Sequence, residues 1–217
     1  MADSDSRAGA RYDSPELRAF VDGLHAAHDA ALERAFAAPQ AHGLPAIQVS
    51  AAEGKLLGVL LRMVGARRVV EVGTLAGYSA IRMARALPEG GVLHTVELDP
   101  RHAQVAQDNF VAAGVADRIT LHLGSGREVL PRLSPLGPFD AVFLDADKEG
   151  YPDYVAWAAA NLRPGGLLLA DNSYFFGQLM ADHPSAAAMR RFHELAARDF
   201  DSVCAPTPDG LVIGLRR

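Results

Sequence analysis

The chain has 217 residues, 49% of them hydrophobic, a formal net charge of −5 and one cysteine, Cys204. That length and apolar content exclude a disordered chain and suit one domain with a sizeable core. The negative balance, with no block of Lys and Arg, disfavours non-specific nucleic-acid binding. A lone cysteine rules out an internal disulfide and fits a reducing cytoplasm. Met1 to Arg7 lack the apolar stretch of a signal peptide, and no run approaches the ~20 apolar residues of a membrane span.

Residues 1–13 are small and polar and read as a disordered tail. Ser14-Pro15-Glu16 is a helix start, with Ser as N-cap and Pro at the first helical position. Leu17, Phe20, Val21, Leu24, Ala27, Ala31, Leu32 and Phe36 form an apolar side that predicts one helix to about Ala38. His25 and His28 share its face at i, i+3, without the further ligands a metal needs. A loop over 39–45 and Ala46-Ile47-Gln48-Val49-Ser50 lead into a helix over 51–64, so 14–64 forms a helical cap on a single domain of 14–217. Strands then alternate with helices. Strands are expected near 68–72, 92–96, 118–123, 139–144 and 166–170, with helices near 78–87, 100–113, 126–133 and 151–162. Continuous apolar strands between helices imply an α/β fold, a mostly parallel sheet covered on both faces. An irregular stretch over 171–184, a helix over 185–199 and an antiparallel hairpin over 201–215 close the chain.

The first strand ends as Val69-Val70-Glu71-Val72-Gly73-Thr74-Leu75-Ala76-Gly77-Tyr78-Ser79. Its glycines allow backbone N–H groups close to a ligand. The dinucleotide fingerprint requires a glycine where Leu75 stands, which counts against a nicotinamide-dependent oxidoreductase. An acid at the strand end suits a cationic or hydroxyl-bearing ligand. Glu97 ends the second strand, about 20 residues on, where an acid can take ribose hydroxyls. The fourth and fifth strands end in Asp145 and in Asp171-Asn172. Neighbouring strands lie ~4.8 Å apart, so these three can converge. Two carboxylates and an amide oxygen form a hard half-shell that suits Mg²⁺, or Ca²⁺ or Mn²⁺. Each acid alone also reads as a polar strand terminus or turn.

Glu71 and Glu97 with the glycine loop resemble the S-adenosylmethionine site of class I methyltransferases, whose fold is Rossmann-like. Leu144-Asp145-Ala146-Asp147-Lys148, Arg163-Pro164-Gly165-Gly166 and Asp171-Asn172 sharpen this. They resemble the cation-dependent O-methyltransferases, the catechol and caffeoyl-CoA O-methyltransferase family, from about Ile47 to the C-terminus. The resemblance implies a divalent cation on Asp145, Asp171 and Asn172, and Lys148 as general base. It implies cofactor contacts at Val49, Glu71, Gly73, Ser79, Glu97, Ser125 and Asp145, with Glu71 toward the amino end of the cofactor. It implies a homodimer. The activity expected is methyl transfer from S-adenosylmethionine to a hydroxyl of a small catechol-like phenol, the cation holding two vicinal oxygens. Ser173-Tyr174-Phe175-Phe176-Gly177-Gln178 departs from the aliphatic–Trp pattern of many bacterial members. Tyr174, Phe175 and Phe176 are candidates to stack an aromatic acceptor, whereas Trp157 reads as core. An alternative acceptor is a tRNA wobble hydroxyuridine, which a basic patch of Arg190, Arg191, Arg216 and Arg217 would favour.

Overall fold

In a computed structural model, which describes Ser4 and residues 14–217, seven strands form one sheet of order β3-β2-β1-β4-β5-β7-β6. The strands are β1 (Arg68–Val72), β2 (Val92–Glu97), β3 (Ile119–Leu123), β4 (Phe139–Leu144), β5 (Leu162–Ala170), β6 (Phe200–Ala205) and β7 (Leu211–Arg216). β1 to β5 run parallel, and β7 lies antiparallel between β5 and β6. The helices are α1 (Pro15–His25), α2 (Ala30–Ala41), α3 (Ala51–Met63), α4 (Tyr78–Ala84), α5 (Pro100–Ala112), α6 (Gly126–Leu133), α7 (Tyr151–Asn161) and α8 (Pro184–Asp199). The expected tail over 1–13 lies, Ser4 apart, outside the described residues.

Strand side chains alternate between two cores, as the pleat requires. Val69, Leu93, Phe143 and Leu169 pack toward Leu57, Leu61, Ile81 and Phe110 on one face. Val70, Val142, Leu144 and Leu168 pack toward Val129, Leu130, Tyr151 and Phe192 on the other. The sheet is therefore covered on both faces, as its uninterrupted apolar strands imply. Among the described residues no helix is long and apolar enough to cross a membrane.

The single N-terminal helix expected to Ala38 is instead two. Asp29 accepts the Leu32 N–H at 2.9 Å and starts a new helix after α1 ends at His25. A capping carboxylate satisfies an otherwise orphaned N–H, and this local competitor breaks the periodic pattern. His25 and His28 consequently share no helix face. His28 bonds the Tyr78 hydroxyl at 2.8 Å and Glu33 at 3.0 Å. The expected apolar side is also only half used. α1 buries none of its residues, and Leu17, Phe20, Val21 and Leu24 stay exposed. α2 runs on through Pro39, where a loop was expected. β5 begins at Leu162 rather than 166 because Leu162 pairs with Phe139 across a register shift.

Candidate active site

One backbone hydrogen bond beyond each strand end fixes the residues that carry chemistry. Gly73 N–H donates to Val96 O, Asp145 to Val72 O, Asp171 to Leu144 O and Gly124 to Glu97 O, all at 2.8–3.0 Å. The acids thus sit at the carboxyl ends of β1, β2, β4 and β5, on both sides of the point where strand order reverses between β1 and β4. Ligands of open α/β sheets bind there. Gly73 has φ +100°, and a Cβ added there would lie 1.8 Å from the Asp145 carbonyl oxygen. Only glycine lets these two strand ends come so close.

Two cavities open at this edge. The first, of about 470 Å³, is lined by Gly73, Glu97, Ser125, Asp145 and Tyr154 among others. The second, of about 510 Å³, is lined by Gln48, Asp145, Lys148, Asn172, Phe176 and Asp209 among others. Ile47, Asp145 and Ala146 line both, so the cavities meet at the end of β4. Ser125 reaches the first as the N-cap of α6, in a reciprocal capping box with Glu128. Tyr154 is wedged there, its ring filling the space a Cβ on Gly126 or Gly150 would need and its hydroxyl donating to Asp147 at 2.6 Å.

Glu97 is nearly buried and already organises the glycine turn. Its Oε2 accepts from the N–H groups of Thr74 and Leu75, and its Oε1 from Asp99 N–H. Each carboxylate oxygen has two lone pairs, so Oε2 is filled and Oε1, which also faces His102 Nδ1 at 3.4 Å, keeps one for a ligand hydroxyl. Glu71 lies deeper. It is 0% exposed and accepts the hydroxyls of Ser79 at 2.5 Å and Thr95 at 2.6 Å. Neither Glu71 nor Ser79 lines either cavity, and Val49 packs into the core. The structure therefore gathers Gly73, Glu97, Ser125 and Asp145 around one space and sets Val49, Glu71 and Ser79 behind its walls.

Burial without a cationic partner pushes the Glu71 carboxyl up to about 8, against the smaller opposing effect of its two hydroxyl bonds. The folded protein thus keeps a proton that the unfolded chain releases above pH 4.5. Stability that this group permits at low pH is lost as pH rises from about 4.5 through about 8. Glu71→Gln is expected to raise the melting temperature of the cofactor-free protein at pH 8, with the gain vanishing near pH 4. Each tenfold difference in proton affinity between the folded and unfolded states corresponds to ~1.4 kcal/mol, so a thermal melt resolves the effect. An equal offset at both pH values would mean that packing, not ionisation, sets it.

In the second cavity, burial raises the carboxyl of Asp145, and Lys148 only partly offsets this. Burial, with Asp145 as the next cause, pushes Asp171 up to about 7. Asp171 Oδ1 is buried without a hydrogen-bond partner. Asn172 adopts φ +51°, and its amide N–H faces Asp209 at 3.4 Å, which leaves its carbonyl oxygen free. No group of three His, Cys, Asp or Glu converges among the described residues, so a cation here would rely on two carboxylates and an amide. An orphaned buried carboxylate oxygen near a second, partly buried acid and an amide oxygen is the hard, all-oxygen donor set that suits a divalent cation.

Lys148 is largely buried in a turn just before α7. Its Nζ lies 3.5 Å from Asp145, 2.9 Å from the Tyr151 hydroxyl and 4.6 Å from the centre of that ring. Burial lowers its pKa, and the carboxylates of Asp145 and Asp171 oppose that shift. Tyr151, fully buried, reaches the carbonyls of Leu144 and Asp171 at 3.2 and 3.0 Å. It ties the lysine to both strand ends. Gln48 donates to Phe36 O and leaves its buried Oε1 unpartnered beside the cavity.

The aromatic expectations divide. Phe176, 59% exposed, lines the second cavity, while Phe175 packs against the core. Both hold left-handed backbone, φ +49° and +52°. Tyr174 lies against Gly210. Trp157 packs on Phe139 and donates to Ser134, as expected of a core residue. Arg190, Arg216 and Arg217 bond main-chain carbonyls and Arg191 pairs with Glu194, so these arginines are engaged by the protein itself.

A parallel sheet with this strand order, a glycine turn between two strand-end acids and a cavity at the switch point define a class I, S-adenosylmethionine-dependent methyltransferase. A family model described as O-methyltransferase matches residues 25–216. A catechol O-methyltransferase of Mycobacterium tuberculosis is 44% identical over 179 residues, 82% of this chain and 81% of that protein. The O-methyltransferase TomG of Streptomyces achromogenes, involved in tomaymycin synthesis and solved in complex with SAM, superposes with a TM-score of 0.88. It is 37% identical, over 93% of this chain and 96% of that one. An O-methyltransferase of Bacillus cereus in complex with SAH gives 0.89 at 32% identity, over 93% and 97%. The chain belongs to the O-methyltransferase family and is an S-adenosylmethionine-dependent enzyme of the catechol/caffeoyl-CoA type.

Proposed function

We propose that this enzyme methylates one hydroxyl of a catechol-like phenol, with a divalent cation, most simply Mg²⁺, held by Asp145, Asp171 and Asn172 and with Lys148 as general base. The observation that carries the proposal is the unpartnered Asp171 Oδ1, buried behind the cavity wall and electrostatically coupled to Asp145, which itself lines both cavities. A cation bound there supplies a Lewis acid that makes a nearby phenolic hydroxyl easier to deprotonate.

Gly73, Glu97 and Ser125 shape the donor cavity, with Glu97 Oε1 accepting from the ribose. Glu71 and Ser79 act from behind it by fixing the start of α4, and Val49 by holding the entry to α3. In the acceptor cavity, Gln48 Oε1 and the Asp209 carboxylate accept from acceptor hydroxyls, and Phe176 walls the ring. Lys148 Nζ, its proton affinity lowered by burial and its position held by Tyr151, takes the phenolic proton. The acceptor oxygen then attacks the donor methyl carbon in line, and the C–S bonding pair leaves with sulfur. Holding both reactants at the Asp145–Ala146 wall supplies most of the acceleration, an effect worth up to ~7–11 kcal/mol.

We read 14–217 as one methyltransferase domain capped by 14–64, acting in the cytoplasm as a homodimer. The uncovered apolar side of α1 supports a second copy packing there. The deciding experiment measures transfer from labelled S-adenosylmethionine to vicinal dihydroxyphenyl compounds, with Mg²⁺ and with EDTA. Transfer is expected with Mg²⁺ and absent with EDTA. Transfer indifferent to EDTA would remove the metal role, and cofactor binding without transfer to any phenol would remove the acceptor class.

A further inference from the structure

On the face of the sheet that carries α3 and α4, away from the donor and acceptor cavities, lies a third pocket of about 140 Å³. Four cationic side chains line it: Lys55 and Arg62 from α3, and Arg82 and Arg85 from the α4 segment. In a chain with a net charge of −5, that concentration is not what composition alone would produce. Gly54 and Gly58 let the two helices close up. A Cβ on Gly54 would lie 2.9 Å from the Tyr78 ring and 3.2 Å from Arg82, and one on Gly58 would lie 3.3 Å from Arg82 O.

The charges are poorly balanced. Arg82 is 9% exposed, yet its guanidinium bonds only neutral oxygens, the Tyr78 hydroxyl at 3.1 Å and Ala26 O at 2.8 Å. Buried charges are ordinarily paired, because desolvating one without a counter-ion is costly. Arg85 has the only carboxylate partner, Asp29 at 2.7 Å. Among the described residues Lys55 and Arg62 make no hydrogen bond or ion pair. The pocket thus has a buried cation at its floor, two unengaged cations at its rim and no anion inside.

We propose that this pocket binds a phosphate group, either as the free ion or as the head of a phosphomonoester. Guanidinium forks match tetrahedral oxyanions in geometry and charge, and a lysine adds a point charge. A water occupies ~30 Å³, so the pocket suits a small oxyanion with a little water and is too small for a nucleoside. Any organic part of a bound ester would therefore extend past Lys55 and Arg62 into solvent.

Isothermal titration of the full chain with inorganic phosphate and with glycerol 3-phosphate, a monoester without the adenosine of the methyl donor, at constant ionic strength, tests this. Saturable binding of phosphate is expected. Comparable affinity for glycerol 3-phosphate would identify the phosphate as the recognised unit, and tighter binding of glycerol 3-phosphate would identify an ester as the ligand. The double variant K55A/R62A, altering exposed side chains outside the catalytic machinery, is expected to fold normally and keep methyl transfer. It removes two charge-assisted contacts, so affinity should fall by at least about tenfold. No saturable binding of either probe, or equal binding to the double variant, would overturn the proposal.

Discussion

Asp171→Asn is expected to lower kcat by ~10²-fold or more while raising the melting temperature of metal-free protein at pH 8. The two effects share one cause. Burial and the neighbouring Asp145 push the Asp171 carboxyl up to about 7, and its Oδ1 has no partner within the protein. Its folded-state value exceeds the ordinary 3.8, so the stability it permits at low pH is lost as pH rises from 3.8 through about 7. An isosteric amide removes that penalty. It also removes half the negative charge available to hold a cation, and Lewis-acid stabilisation is worth several kcal/mol, at ~1.4 kcal/mol per factor of ten. Turnover in the presence of Mg²⁺ and thermal melts in EDTA read the two effects separately. Full activity in Asp171→Asn would remove it from the proposed site, and a lowered melting temperature would mark it as structural.

Lys148→Arg is expected to be as inactive as Lys148→Met. Positioned general bases contribute ~10²–10⁴-fold, so kcat should fall within that range in both variants. The arginine keeps a positive charge near Asp145, but a guanidinium does not release its proton at accessible pH. Equal loss in the two variants therefore separates proton transfer from simple charge pairing. S-adenosylmethionine affinity, measured by calorimetry, should be unchanged, because Lys148 lines the second cavity and not the first. Retention of activity by Lys148→Arg alone would make the lysine a counter-charge for Asp145.

The parallel sheet was legible because its strands are continuous apolar runs bounded by turn residues; β4 and α6 match the expected 139–144 and 126–133 to the residue. The N-terminal region was not. Periodicity reported an apolar side but not its covering, and Asp29 reads as an ordinary polar residue until its cap on Leu32 is visible. At the site, strand ends are legible because parallel registry carries Asp145 and Asp171 to one edge. What escaped depends on pairings between distant segments. Asp209 meets Asn172 across 37 residues of sequence, and Gln48 reaches the second cavity from the segment before α3. Tyr151 was within reach of inference, because it follows Lys148 by one helical turn and each is positioned to meet the other.

The glycine contact between the ends of β1 and β4 and the left-handed Phe175-Phe176 pair imply opposite evolutionary freedoms. Position 73 admits no side chain without prising the two strands apart, so this corner of the first cavity is closed to substitution. Phe175 and Phe176 instead hold a backbone that costs L-residues ~1–2 kcal/mol each, so glycine or asparagine at the exposed Phe176 would relieve the chain while redrawing the wall of the second cavity, whereas Phe175 is also held by its core packing. New acceptor preferences are therefore accessible by a short mutational walk through 173–180. Substrate divergence among descendants of this gene should be recorded in that short segment, with Gly73 carried along unchanged.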